Sequence, residues 1–216
     1  MQDLALLRLL QLFDSAFPVG TFAFSSGLET YAQGGLDRAG LRELLRSQLA
    51  LGFGRLDAAA CVLAYRATKI GELDDLCDTL TAWKPVPGLQ RTSLQLGKRL
   101  LLLSRRLYPR EADFTLAAPH QAVVVGALGK RLEIAEEPLV SAFLHSSLTA
   151  ALAAATRAMP LSPEQSQEIL TALHPGVLEA VDRTLRDPEA NLFSATPALD
   201  LRAHQQVHLY TRLFQS

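Results

Sequence analysis

The chain has 216 residues, of which 49% are hydrophobic, and this suits one domain with a sizeable buried core. Its 21 basic and 22 acidic residues nearly balance and form no long run of either sign. This balance argues against electrostatic binding of nucleic acid and against a charged tail.

Apolar residues recur at helical spacing through nearly the whole chain, as Leu41, Leu45 and Leu49 illustrate. Strand-like alternation is nearly absent, although the β-branched run HQAVVVGAL leaves a strand as the alternative to a helix there. We predict an all-α fold, a single-domain bundle of about ten helices. The predicted bounds are 2–12, 25–33, 38–52, 55–69, 72–82, 88–107, 118–130, 138–158, 163–173 followed by 175–186, and 197–213.

Capping residues mark several of these helix starts. Asp37 can cap the helix that follows it, and Ser162 with Gln165 forms a capping box in which Pro163 occupies the first helical position. Glycine and proline clusters mark the breaks between helices. One of them, His-Pro-Gly at 174–176, predicts that the chain leaves the helix before residue 175.

We predict neither a signal peptide nor a membrane-spanning helix. The N-terminal stretch MQDLALLRLLQLF lacks a basic n-region and is interrupted by Asp3 and Arg8. The later apolar run at 148–156 is much shorter than the ~20 residues that a membrane span needs. A cytoplasmic protein without a membrane partner follows as the expectation.

Two cysteines, Cys61 and Cys77, are too few for a disulfide framework or a cysteine-based zinc site. Both fall on apolar helix faces, so we expect buried free thiols in a reducing compartment. The glycine-lysine stretch GALGKRL departs from a phosphate-binding P-loop, because valine and arginine replace its first glycine and its serine or threonine.

Histidines suggest one weak metal-binding pattern. His204 and His208 are four residues apart on one predicted helix, but no third ligand lies near them in the sequence. The other three, His120, His145 and His174, are isolated along the chain. We predict no catalytic activity. The alternatives are a small all-α metal-dependent enzyme built on the paired histidines, and a helical adaptor unrelated to any enzyme system.

The two end segments carry unusual apolar surface. The stretch FDSAFPVGTFAFSSGLETY contains four of the nine phenylalanines, and Ser25 and Glu29 are expected to cap and begin the next helix. The last stretch, HLYTRLFQS, combines tyrosine, arginine and phenylalanine, which are residue types that anchor interfaces. The alternative for it is a last helical turn folded onto its own core.

Four stretches make the chain similar to the urease accessory protein F family over essentially its whole length. They are LLQLFDSAFPVGTFAFSSGLETY, RTSLQLGKRLL, AAATRAMPLS and LYTRLFQS. The chain departs from the family pattern in two places. Gln206 and Val207 stand where the family often has His-Glu, and Ser162-Pro163 follows Pro160-Leu161 where the family often has Gly-Gln.

The resemblance implies a non-catalytic, cytoplasmic, homodimeric scaffold or chaperone for urease metallocentre assembly. Such proteins join an accessory protein called D or H and the nickel GTPase G on apo-urease, and they support GTP-dependent nickel insertion. No cofactor is then bound directly, because nickel and GTP are handled by the partners. We treat 1–216 as one family domain with docking segments at 1–31 and 204–216. The predicted partner-binding residues are Phe17, Pro18, Gly20, Phe22, Phe24, Ser25, Gly27, Glu29, Tyr31, Arg157, Tyr210, Arg212, Leu213 and Phe214.

Three hypotheses follow for named parts of the chain. The two end segments become ordered when the D-type partner binds, which hides their apolar area. Arg157 faces the GTPase, with a helix C-terminal cation that stabilises the helix dipole as the alternative. Gly97, which costs about 1 kcal/mol relative to alanine inside a helix, permits a close approach in the core or at a dimer interface.

Overall fold

Every regular element among residues 2–215, the part of the chain that the computed structural model describes, is helical. The predicted all-α, single-domain bundle is therefore confirmed. The α-helices are α1 Gln2–Leu12, α2 Leu28–Gln33, α3 Arg38–Leu51, α4 Leu56–Arg66, α5 Ile70–Trp83, α6 Pro87–Leu107, α7 Gln121–Arg131, α8 Glu136–Ala158, α9 Pro163–Arg186 and α10 Pro197–Gln205. Short 3₁₀ turns occupy Thr21–Ala23, Glu189–Asn191 and Gln206–His208.

Helices α4 and α7 form the most extensive helix pair and lie at the centre of the bundle. Small side chains allow this approach, because Ala58, Ala59 and Ala60 of α4 are completely buried. A Cβ atom at Gly126 of α7 would overlap the carbonyl oxygen of Cys61. Helices α6, α8 and α9 pack around this pair, with α2 against α8 and α3 against α9.

Gly97 of α6 has the role that the sequence predicts. A Cβ atom there would overlap the carbonyl oxygen of Pro119, which lies two residues before the start of α7. The glycine therefore permits a close approach within the core of one chain. The β-branched run after His120 forms α7, so the helix and not the strand is correct there.

Two predicted caps are confirmed by their hydrogen bonds. The Asp37 side chain accepts from the Gly40 backbone N–H at 2.7 Å and begins α3. At the start of α9, the Ser162 hydroxyl accepts from the Gln165 N–H at 3.2 Å, and the Gln165 side chain accepts from the Ser162 N–H at 3.0 Å. Each side chain thereby satisfies a backbone donor that the helix leaves unpaired.

The predicted break at residues 174–176 is wrong. Helix α9 runs unbroken from Pro163 to Arg186 with Pro175 inside it. Proline removes one backbone hydrogen bond and disfavours a helix interior. Leu173 and Val177 are buried on either side of it, so packing against the core offsets that loss.

The predicted helices 25–33 and 197–213 are both shorter in the structure. Ser26 and Gly27 have φ angles of 51° and 90°, which excludes them from a right-handed helix, so α2 begins at Leu28. The predicted hydroxyl cap at Ser25 is wrong, because Gly27 is the N-cap residue of α2 and makes no side-chain cap. The last helix ends at Gln205, and the backbone becomes extended at Leu209.

Helix α8 has the length and composition of a membrane-spanning segment, unlike any other helix within residues 2–215. The prediction considered only residues 148–156 and judged them too short, and that length argument is wrong for the 23-residue helix. The fold accounts for the apolar character of α8, because Leu139, Leu144 and Leu148 are completely buried in the core.

Candidate partner-binding site

The two end segments predicted to dock a partner lie against each other in the structure. We call Phe13–Tyr31 the opening segment and Leu209–Gln215 the tail; Met1 and Ser216 of the predicted docking segments lie outside the described residues. Gly20 and Gly27 adopt left-handed backbone conformations with φ angles of 88° and 90°, which turn the opening segment back over the bundle.

The Gln206 side chain, in the 3₁₀ turn just before the tail, holds the opening segment at a buried position. Its amide nitrogen donates to the Ser25 hydroxyl at 2.9 Å and to the Glu29 carboxylate at 3.1 Å. Its amide oxygen accepts from the Gly27 N–H at 3.1 Å. Gln206 is completely buried, so its amide depends on these partners for hydrogen bonds.

Glu29 extends this network to the tail. Its other carboxylate oxygen accepts from the Leu213 backbone N–H at 2.7 Å. The carboxylate is almost completely buried. A built Cβ atom at Gly27 would lie 3.1 Å from Ala203 of α10, so the same turn also packs closely against the last helix. A buried carboxylate with several hydrogen-bond donors fixes the path of the tail backbone.

Arg157, at the end of α8, contacts both segments. Its guanidinium donates to the Phe22 carbonyl oxygen at 2.6 Å and lies 4.5 Å from the centroid of the Phe214 ring. The Gln215 N–H donates to the Ala23 carbonyl oxygen at 2.9 Å beside this contact. Arg157 also donates to the Ala153 carbonyl oxygen at 3.1 Å, within its own helix.

We use the term clasp for the residues that hold the segments together: Ser25, Gly27, Glu29, Arg157, Gln206, Leu213 and Phe214. Sequence reasoning noticed Gln206 only as a departure from the family pattern and did not include it among the site residues. Its partners lie at the other end of the chain, and no local spacing rule connects them. Buried hydrogen bonds and one buried phenylalanine therefore hold the residues of the clasp in place.

The predicted site residues divide by exposure into three groups. The buried ones are Ser25, Gly27, Glu29 and Phe214, the half-buried ones are Phe17, Gly20, Phe24 and Tyr31, and the exposed ones are Pro18, Phe22, Arg157, Tyr210, Arg212 and Leu213. Tyr210 is fully exposed, and Leu213 and Phe22 are 69% and 68% exposed. We call these last three side chains the apolar rim.

Other predicted residues make contacts outside the clasp. Phe17 and Pro18 line an open groove with α1 and with Leu107 near the end of α6. The Tyr31 ring lies under the Arg202 guanidinium, 5.5 Å from ring centroid to guanidinium carbon. Arg212 donates to the Gln215 carbonyl oxygen at 3.1 Å, within the tail itself.

Helix α1 adds further exposed apolar surface next to this groove. It packs on the bundle through Ala5, Leu9 and Leu12. Its other faces expose leucines that no part of residues 2–215 covers, namely Leu4, Leu6, Leu7 and Leu10. The apolar area of the N-terminal region therefore extends beyond the opening segment that the sequence singled out.

Behind the opening segment lies a cavity of about 230 Å³. Phe24 and Ser25 line one side, and Gln48, Phe143 and Asp200 line others. Burial raises the pKa of Asp200, and the neighbouring Lys84 opposes that shift. The opening segment therefore covers a partly polar interior space as well as contacting the tail.

Neither a metal cluster of three or more ligands nor a reactive thiol is present among the described residues. Within residues 2–215, no group of three or more His, Cys, Asp or Glu side chains is arranged to hold a metal ion. Cys61 and Cys77 are free and buried, as the sequence predicts. Burial raises the pKa of the Cys61 thiol well above its usual range and that of Cys77 to about 11, so neither forms the reactive thiolate near neutral pH.

Comparison with known proteins decides the family. The family model described as UreF matches residues 36–174. A protein from Bradyrhizobium sp. (strain ORS 278) is 34% identical over 98% of this chain and 92% of its own length. The chain belongs to the UreF family.

Other relatives cover the chain as fully. A protein from Teredinibacter turnerae is 33% identical, with 98% of each chain covered, and one from a Nostoc species is 30% identical over the whole of this chain. All three are named Urease accessory protein UreF. The resemblance stated from the sequence is thus confirmed, and the family assigns the chain to the urease accessory proteins. An adaptor unrelated to urease is excluded.

Proposed function

We propose that this chain is a non-enzymatic scaffold for urease maturation. In this proposal it joins a D/H-type accessory protein and the nickel GTPase G on apo-urease and supports GTP-dependent nickel insertion. It acts as a cytoplasmic homodimer, while tight binding of nickel and GTP belongs to the partners. Family membership supports the urease context, and the apolar rim held on the clasp is the observation that supports a docking role.

The rim has the physical character of a docking site. Two aromatic side chains and one leucine are presented to solvent on a backbone that buried hydrogen bonds hold in place. Aromatic side chains can each bury about 150–250 Å² at an interface. Because the clasp fixes the rim in advance, less conformational entropy is lost on binding than for a free chain end.

The clasp also gives the partner-binding segments a way to act together. The Leu213 N–H is bonded to Glu29, and the Phe214 ring is held by Arg157, which in turn is bonded to Phe22. A D/H-type partner that covers the tail therefore also contacts a surface whose shape depends on the opening segment. We assign that partner to the rim and keep the prediction that Arg157 is needed for GTPase recruitment.

The rim is tested by pull-down of the separately purified D/H-type accessory protein. Replacing Leu213 and Tyr210 together by alanine should weaken capture about tenfold or more, because interface anchors contribute most of the binding free energy. The matched control is Leu178→Ala on α9, which removes a leucine of similar exposure, 62% against 69% for Leu213, away from the rim. Equal capture by the rim variant and the control would reject the proposal.

The GTPase assignment is tested by Arg157→Ala in a pull-down of the GTPase with all other components present. We expect weaker recruitment of the GTPase while the dimer remains intact by size-exclusion chromatography. Arg157→Lys is the companion variant, because lysine keeps the charge but loses the planar contact with Phe214. Unchanged GTPase recruitment by Arg157→Ala would remove this residue from the docking surface.

A further inference from the structure

Two histidines that are isolated in the sequence lie side by side in the structure. His145 of α8 and His174 of α9 have ring centroids 5.8 Å apart, with an angle of 35° between the ring planes. Both side chains are exposed. They lie on the seam between two helices that pack along each other, outside the clasp and the rim.

The two helices hold these histidines at a fixed separation. Leu144 of α8 and Leu173 of α9 adjoin the histidines in the sequence, and Leu148 lies one turn further along α8; all three are almost completely buried in the common core. Side chains carried on packed helices are held more firmly than side chains on loops. Only the two imidazole rings themselves must reorient to bring a nitrogen atom of each toward the same point.

The separation suits a shared metal ion. Metal–nitrogen bonds to histidine are about 2.0–2.1 Å long. One ion can therefore join two rings whose centroids lie between about 4.5 Å apart, for nitrogens at a right angle, and about 6.4 Å apart, for nitrogens in a line. We propose that His145 and His174 bind one divalent transition-metal ion, such as Ni²⁺, Zn²⁺ or Cu²⁺, in an open site. The remaining coordination positions are filled by water or by a ligand from another molecule.

The ligand chemistry selects the class of ion. Imidazole nitrogens suit nickel, copper and zinc, whereas calcium and magnesium prefer oxygen ligands. Within residues 2–215 no carboxylate is hydrogen-bonded to either ring.

A site with two protein ligands binds and releases its ion more readily than the closed four-ligand sites of structural zinc. Such binding is separate from the tight nickel binding that the proposed function assigns to the partners. The inference rests only on the histidine pair, so it stands or fails independently of the scaffold proposal.

The chain also contains a natural control pair. His204 and His208 have ring centroids 6.4 Å apart at an angle of 70°, at the upper limit for one shared ion. His204 lies in the last turn of α10 and His208 in the 3₁₀ turn that follows, whose tighter winding departs from the α-helical spacing of a two-histidine site. The double variant His204→Ala/His208→Ala therefore should leave metal binding in place.

The test is calorimetric titration of the full, tag-free chain with NiCl₂ and, separately, with ZnCl₂. We expect one ion per chain, a rise in melting temperature that EDTA reverses, and no response to MgCl₂. His145→Ala and His174→Ala should each weaken binding at least tenfold, with unchanged helical circular dichroism. The double His204/His208 variant should titrate like the wild type.

Several results would overturn the inference. They are the absence of any Ni²⁺ or Zn²⁺ response, retention of full binding by either His145→Ala or His174→Ala, and loss of binding in the His204/His208 double variant. A stoichiometry of one ion per two chains would also contradict it, because it would assign the ion to a contact between copies.

Discussion

The centre of the bundle and the clasp are held together in different ways. At the centre, α4 and α7 meet through alanines, Cys61 and Gly126, with almost no polar group involved. The clasp instead depends on a buried glutamine, a buried carboxylate and an arginine over one phenylalanine. Close apolar packing resists any change in shape, whereas a small polar network can open while exposing only Phe214 of the buried core.

This difference separates the region that supplies stability from the region where we propose that a partner binds. The family model covers residues 36–174, which contain α3 to α8 but neither end segment. Changes at the centre should therefore unfold the chain, while changes in the clasp should release the segments and leave the bundle folded.

Gly126→Ala should be strongly destabilising, because its Cβ atom would overlap the carbonyl oxygen of Cys61 and approach Ala64 to 2.9 Å. We expect a loss of about 3 kcal/mol or more in the free energy of unfolding, measured by urea denaturation. The matched control is Gly71→Ala in α5, where a Cβ atom meets nothing within 4 Å. The control should be neutral or slightly stabilising. Similar losses for both variants would show that backbone approach at α4 and α7 is not the cause.

The buried His120 side chain makes the stability of the bundle depend on pH. The His120 ring is completely buried between the hydroxyls of Thr81 and Ser93, each 3.0 Å from a ring nitrogen. Thr81 donates its hydroxyl hydrogen to the Cys77 carbonyl oxygen, so it accepts from one imidazole nitrogen and Ser93 donates to the other. Burial, with a smaller effect of the Lys84 charge, lowers the pKa of His120 to about 4.

The sign of the pH effect follows from that pKa. Between the unfolded pKa of about 6.5 and the folded value of about 4, the unfolded chain binds the extra proton. The contribution is fully present above pH 6.5 and is lost as the pH falls toward 4, a change of about 3 kcal/mol. His120→Gln cannot titrate, so its unfolding free energy should fall less steeply over that range. Parallel pH curves for the variant and the wild type would contradict the assignment.

Glu29→Gln tests the clasp and should have the smallest effect on the whole fold. The amide places a donor where the carboxylate accepts from Leu213 and Gln206, at a local cost of about 1–3 kcal/mol. We expect faster hydrogen exchange in the tail with nearly unchanged global unfolding. Gln33→Ala is the control. The Gln33 side chain also bonds the tail, by donating to the Thr211 carbonyl oxygen, but it is exposed, so its loss leaves no buried polar group unpaired. If the free energy of global unfolding fell by as much as the local cost at Glu29, the clasp and the bundle would have to unfold together.

The sequence predicts the helices well where local signals determine them. Apolar spacing locates most of α1 to α10, and the caps at Asp37 and Ser162 locate two starts correctly. It fails where packing overrides a local preference, as at Pro175, which the burial of its neighbours holds inside a helix. The predicted helix 197–213 is also too long. The α-helix ends next to the buried Gln206, and the extended tail follows it.

The candidate site shows the same limit of local reasoning. Residue type alone singled out the aromatic and arginine content of both ends, and the structure brings those ends together. No spacing rule connects Gln206 with Ser25, or His145 with His174, because these contacts depend on how distant helices pack. The roles of the predicted docking residues remain predictions.

Hydrogen exchange of the wild-type chain, alone and with the D/H-type accessory protein, tests the central claim most directly. If the opening segment and the tail form one docking surface, amides in residues 13–31 and 209–215 should gain protection together when the partner is added. Amides in α4 and α7 should be unchanged. Equal protection of both end segments in the two states, or a gain in only one of them, would contradict the account.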